Sequence, residues 1–121
     1  MTHSHTSRTV DPVAAYYDSN TRRFLRFGGS GATAAIHRQI WAPGVEDAAG
    51  AFLYLNQWVA RAVQPVLSLH APPCLLDLGC GVGGTTTWLA GGLGVPVIGV
   101  TNSAVQRDAA AKRARRLEVG D

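Results

Sequence analysis

Asp77-Leu78-Gly79-Cys80-Gly81-Val82-Gly83-Gly84 decides how this chain is read. The stretch closes a short apolar run, Cys74-Leu75-Leu76, that follows Pro72-Pro73. It opens onto Thr85-Thr86-Thr87-Trp88-Leu89-Ala90, a run compatible with a helix. The order is strand, glycine turn, helix. Glycines serve where the backbone must turn sharply and let a ligand approach with no Cβ in the way. A helix that starts next turns free N–H groups and the positive end of its dipole toward any anionic group lying there. The segment therefore reads as a cradle for a nucleotide or another small molecule. The plainer alternative is a tight βα turn that holds no ligand.

Gly79-x-Gly81-x-x-Gly84 satisfies the dinucleotide fingerprint. With 14 glycines in the chain, such a match arises easily by chance. Asp77 discriminates. A carboxylate two residues before the first glycine suits a ligand with a cationic ammonium group and repels a pyrophosphate. The full pattern from Leu75 to Gly84 resembles motif I of class I S-adenosylmethionine-dependent methyltransferases. The wording Gly79-Cys80-Gly81-Val82-Gly83-Gly84 is similar to that of sterol and tocopherol C-methyltransferases. The resemblance implies S-adenosyl-L-methionine as cofactor. Gly79, Cys80, Gly81 and Gly83 would lie against it, and Asp77 would face its methionine ammonium, directly or through water.

A second apolar run, Val95-Pro96-Val97-Ile98-Gly99-Val100, ends in Thr101-Asn102-Ser103. Pro96 is tolerable at a strand start or edge. Ser103-Ala104-Val105-Gln106 has the form of a capping box and starts a helix that is expected to run to about Leu117. One βαβ unit and a following helix imply a parallel sheet. At the end of the second strand such folds place an acid against a ribose hydroxyl. Thr101 holds that position here and offers a hydrogen bond without charge. Gly99 to Gln106 resembles the corresponding segment of tocopherol-type methyltransferases, so Thr101 and Asn102 are expected to meet the ribose and adenine.

Tyr16-Tyr17-Asp18-Ser19-Asn20-Thr21-Arg22-Arg23-Phe24-Leu25-Arg26-Phe27 resembles the Tyr-Asp segment of cyclopropane-fatty-acid, sterol and tocopherol methyltransferases. The resemblance puts Tyr17 over the cofactor. The alternative is that Tyr16, Tyr17, Phe24 and Phe27 are core packing. Arg22, Arg23 and Arg26 read either as a holder for a phosphorylated substrate or as a solvated cluster.

Between these segments the sequence predicts a Gly28–Gly31 joint, a short helix over Ala34–Trp41 stopped by Pro43-Gly44, and a longer helix from about Glu46 toward Gln64. Ala48, Phe52, Leu55, Val59, Ala62 and Val63 give the longer helix its inward stripe, and Pro65 is expected to kink or end it. Tyr54 and Trp58 share a face and read as core packing or a pocket wall. His37 is a weak candidate for a general base, on the pH range that imidazole covers.

At 121 residues, with 46% hydrophobic and 16% charged residues, the chain is long enough for one small globular domain. No apolar run reaches the ~18 residues of a membrane span, and the first residues lack the apolar core of a secretory signal. Residues 1 to 11 read as a disordered tail, in which His3 and His5 lack metal-ligand partners. Cys74 and Cys80 read as reduced, partly buried thiols, which points to a cytoplasmic setting. Lys112-Arg113-Ala114-Arg115-Arg116 reads as a solvated helix face and not as a nucleic-acid patch, because no aromatics are interleaved with it.

The expected organisation is a tail over 1–11, a helical cap and substrate-side region over 12–70, and the first two βα units of a cofactor-binding domain over 71–121. The fold class is α/β, the N-terminal part of a Rossmann-like doubly wound methyltransferase fold. The resemblance spans about residues 12 to 117 but only the N-terminal half of that fold. The chain is therefore expected to be truncated, one piece of a split enzyme, or a fragment, with a second chain as a possible source of the missing strands. The expected function is methyl transfer to a small-molecule acceptor of lipid, prenyl or natural-product type, on carbon. The alternatives are an NAD(P)-binding half-domain and a non-catalytic interaction fragment.

Overall fold

The computed structural model describes residues 11–27 and 39–120. The tail at 1–10, the joint at 28–31, most of the short helix expected over 34–41, and the candidate base His37 lie outside the described residues. The elements run α1 (Pro12–Phe27), α2 (Ala48–Leu67), β1 (Leu75–Leu78), α3 (Gly84–Leu93), β2 (Val97–Val100) and α4 (Ala104–Arg116). The fold is mixed, helices around a two-stranded parallel sheet in which Leu75 pairs with Val97 and Leu78 with Val100.

The sheet begins where apolar β-formers meet a helix breaker on each side, Pro73 before β1 and Pro96 before β2. The Leu75 N–H bonds the Pro96 carbonyl at 3.0 Å, so the proline lies one residue outside the strand and costs the ladder no donor. Alternate residues face opposite sides. Asp77 and Gly99 face α3. Leu76, Leu78, Ile98 and Val100 face away from it and stay 59%, 75%, 56% and 46% exposed. Parallel sheets are ordinarily covered on both faces. Here one apolar face and both sheet edges are open among the described residues. The core is accordingly small, made of Ala51, Phe52, Val82 and Leu89, with Thr21, Asn56, Thr87, Ser103 and Gln106 buried beside it.

Several expectations need correction. Ile40 and Trp41 are not helical, and the Ile40 N–H bonds the Ala51 carbonyl at 2.9 Å instead of a partner in its own segment. α2 starts later than Glu46, because Asp47 caps it by accepting from the Gly50 N–H at 2.7 Å. It also runs through Pro65, which falls in the last turn, where little helix remains to be disrupted. The inward stripe of α2 is Ala51, Phe52 and Asn56, whereas Ala48 and Ala62 are exposed. Asn56 is inward because its Oδ1 accepts from the Thr85 hydroxyl at 2.8 Å, a polar tie between α2 and α3. Tyr54 is half-buried and Trp58 exposed.

α4 spans close to the expected length, but its capping box is only half made. Ser103 Oγ accepts from the Gln106 N–H at 3.1 Å. The Gln106 side chain turns to Thr101 instead of reaching back to the Ser103 N–H, which bonds Thr101 Oγ1 at 3.3 Å. In the basic run of α4, Arg113 is not on the solvated face: its Nε donates to Thr87 Oγ1 at 3.1 Å, and partial burial followed by the nearby Arg116 charge lowers its pKa.

α1 docks on α4 through Asp18. Its carboxylate accepts from the Ser103 hydroxyl and, at 3.2 Å, from the Val105 N–H in the first turn of α4. The Ser103 bond, reinforced by the Val105 N–H, holds the Asp18 pKa below the ordinary 3.8. A depressed carboxylate pKa adds stability that is fully present above the unfolded value and is lost as pH falls through the folded one. Acid unfolding of the wild type is therefore expected to steepen below pH 3.8, and Asp18→Asn is expected to remove that component. Thermal melts of both proteins across the acid range measure it; superimposable profiles would contradict the assignment.

Candidate functional site

The glycine turn joins β1 to α3 beneath α1. The N–H groups of Gly79 and Cys80 both bond the Val100 carbonyl, at 2.8 and 2.9 Å, which fastens the turn across the end of β2. Gly79 and Gly81 have φ of +83° and +56°, a left-handed backbone that side chains other than glycine rarely adopt. A Cβ built on either would meet nothing within 4 Å, so open space begins at their α-carbons.

That space is a hollow of about 430 Å³. Tyr17 of α1 overhangs it, Gly79 and Gly81 form one wall, and Val100, Thr101, Asn102 and Gln106 form the other. Five residues singled out in the sequence, Tyr17, Gly79, Gly81, Thr101 and Asn102, thus meet around one cavity, although more than eighty positions separate the first from the last.

Asp77, Cys80 and Gly83 do not line this hollow. The Asp77 carboxylate accepts from the Thr86 hydroxyl in the first turn of α3, toward the positive end of that helix. Gly83 serves packing: at φ +79° a Cβ there would stand 2.9 Å from the Ala110 Cβ of α4. Cys80 and Gly83 border a second hollow of about 380 Å³, between α3, β2 and α4. Both cysteines are free; Cys80 is half-buried, but Cys74 is exposed rather than partly buried as expected. Burial first, and the Asp77 charge second, raise the Cys80 pKa above its ordinary 9.0. Cys80 is therefore a protonated, unreactive thiol at neutral pH. Alkylation followed by mass spectrometry is expected to label Cys74 well before Cys80 at mildly alkaline pH, and Asp77→Asn is expected to move Cys80 labelling to lower pH. Equal rates in the wild type would refute the ordering.

Gln106 is the residue that the sequence reading passed over as a cap. It is 5% exposed and lines the hollow. Its Oε1 accepts from Thr101 Oγ1 at 2.8 Å, and its side-chain N–H₂ has no partner among the described residues. A buried amide donor left unmade is costly, about 1–3 kcal/mol, and ordinarily marks a missing partner. The signal in the sequence was the Thr101-to-Gln106 spacing: an amide in the first turn of α4 reaches back to the strand end. The pair is a neutral donor–acceptor site. Gln106 offers N–H, and Thr101 Oγ1, already donating to Gln106, offers a lone pair. That combination suits a hydroxyl, which accepts from one and donates to the other.

Among the described residues no group of three His, Cys, Asp or Glu side chains is placed to hold a metal, and no helix is long and apolar enough to cross a membrane. Arg22, Arg23 and Arg26 are exposed and do not line the hollow. Neither a protein-family model nor a curated protein sequence matches the chain.

Proposed function

We propose that this chain binds S-adenosyl-L-methionine as part of a small-molecule methyltransferase, with an acceptor of lipid, prenyl or natural-product type methylated on carbon. The observation that carries the reading is the convergence of Tyr17, Gly79, Gly81, Thr101 and Asn102 on one hollow that also receives the Gln106 side-chain N–H₂, which has no partner among the described residues. The cofactor supplies a methyl group already activated on a sulfonium. The open space at Gly79 and Gly81 admits a ligand to the backbone, and the Thr101–Gln106 pair suits a ribose hydroxyl. Asn102 stands beside that pair for the base, and the Tyr17 ring covers the site from α1. Asp77 acts at one remove, by fixing the start of α3 through Thr86. With a pre-activated methyl, the residues that matter are those that align acceptor and donor and exclude water, and a strong acid or base is not required.

Calorimetry with S-adenosyl-L-methionine, its demethylated product and nicotinamide dinucleotides tests the reading. The first two are expected to bind more tightly. Gln106→Leu is expected to weaken them about 10- to 100-fold, the worth of one buried hydrogen bond. Tighter binding of a nicotinamide dinucleotide would replace this reading with the half-domain one.

A further inference from the structure

The outer surface of α1 carries positive charge and large apolar side chains together. At about 100° per residue, Arg22, Arg23 and Arg26 share one half of the circumference with Val13, Tyr16 and Phe27. Ala14, Tyr17, Asp18, Thr21, Phe24 and Leu25 occupy the other half, where Thr21 is buried and Tyr17 and Leu25 keep 39% and 41% exposure. The outer half is thus basic and apolar together. Val13, Tyr16 and Phe27 are 51%, 55% and 73% exposed, and the Arg26 guanidinium lies 5.5 Å from the centre of the Phe27 ring. None of the three arginines has a carboxylate partner among the described residues, and no acid follows Asp18 on the helix. Asp18 itself is spent on the start of α4.

We infer that this face of α1 docks on an anionic lipid surface. Three unpaired guanidiniums match the phosphates of acidic headgroups, while Tyr16 and Phe27 are the ring types that settle at the boundary between headgroups and acyl chains. A merely solvated basic face would not carry exposed phenyl and valine side chains along the same side of the helix. A single-stranded nucleic acid would need the rings to stack along a groove, and α1 presents a convex helix.

The test is co-sedimentation of the full chain with phosphatidylcholine vesicles, with and without phosphatidylglycerol, at low and high salt, with a single-stranded RNA oligonucleotide in parallel. Binding is expected only to the anionic vesicles and to fall with salt. Arg22→Gln, Arg23→Gln and Arg26→Gln together are expected to lower the partition about 100-fold, about fivefold for each arginine. Phe27→Ser alone is expected to lower it about tenfold while the salt dependence persists. These side chains are exposed, so the variants should keep the wild-type circular dichroism. Equal binding to neutral vesicles would place the contact on the bare sheet face and overturn the proposal. So would unchanged binding in the triple variant, no binding to either vesicle, or tighter binding to RNA than to the anionic vesicles.

Discussion

Valine at Gly79 or Gly81 is expected to abolish S-adenosyl-L-methionine binding, while alanine at Gly83 is expected to damage the fold instead. The three glycines share a left-handed backbone but have different surroundings. At Gly79 and Gly81 a side chain enters empty space, the space assigned to the ligand, so steric blockade falls on binding. The protein itself bears only the backbone cost, about 1–3 kcal/mol for a non-glycine residue held there. At Gly83 the new Cβ meets the Ala110 Cβ at 2.9 Å and its Cα at 3.2 Å, so α4 must move. Overpacking adds to the backbone cost, for a loss of about 2–5 kcal/mol. Calorimetry and chemical denaturation on the three variants separate the two effects. Undiminished binding in Gly79→Val and Gly81→Val would show that the ligand lies elsewhere; a stable Gly83→Ala would show that α4 is not clamped on the turn.

The purified chain of residues 1–121 is expected to self-associate and to show no methyl-transfer turnover. Leu76, Leu78, Ile98 and Val100 form a contiguous apolar face beside two strand edges that are open among the described residues. Each side chain stands to gain about 1.5–3 kcal/mol on full burial, and free edges offer pairing to any neighbouring strand. Among the described residues the hollow is walled only by α1, the glycine turn, the end of β2 and the first turn of α4, too few walls to hold an acceptor in line or keep water out. Sedimentation velocity over a range of concentrations should show species larger than a monomer. Leu78→Lys with Ile98→Lys should return the protein toward a monomer without restoring turnover. Labelled-methyl assays over phenolic, prenyl and sterol acceptors complete the test. A stable, active monomer would overturn both expectations.

The elements around the glycine turn were legible because each is announced locally. β-formers follow prolines, glycines stand where φ is positive, and Ser103 precedes a run of good helix formers. Thr101 was legible from its place at the end of a strand, but Tyr17 only through resemblance, since nothing in its own spacing brings α1 to the end of β2. That contact depends on Asp18, whose partners lie 85 and 87 residues away, and a bond of that range has no periodic signature. Asp77 lies apart from the hollow because a carboxylate at a strand end answers to whichever donor is nearest. Thr86, nine residues on, reaches it from α3. Asn56 and Arg113 turned inward for the same reason: each found a threonine hydroxyl across a helix interface, which outweighs the polar-outward habit of the residue type.

The adjacency of Tyr17 and Asp18 has a thermodynamic consequence. One residue touches whatever fills the hollow, and its neighbour ties the same helix to the serine two positions past Thr101. Occupancy of the hollow and attachment of α1 are therefore conjugate quantities. A ligand that gains affinity from the attached helix must hold that helix in place by the same factor, and any change that loosens Asp18 from Ser103 must be repaid as weaker binding, although neither side chain need touch the ligand.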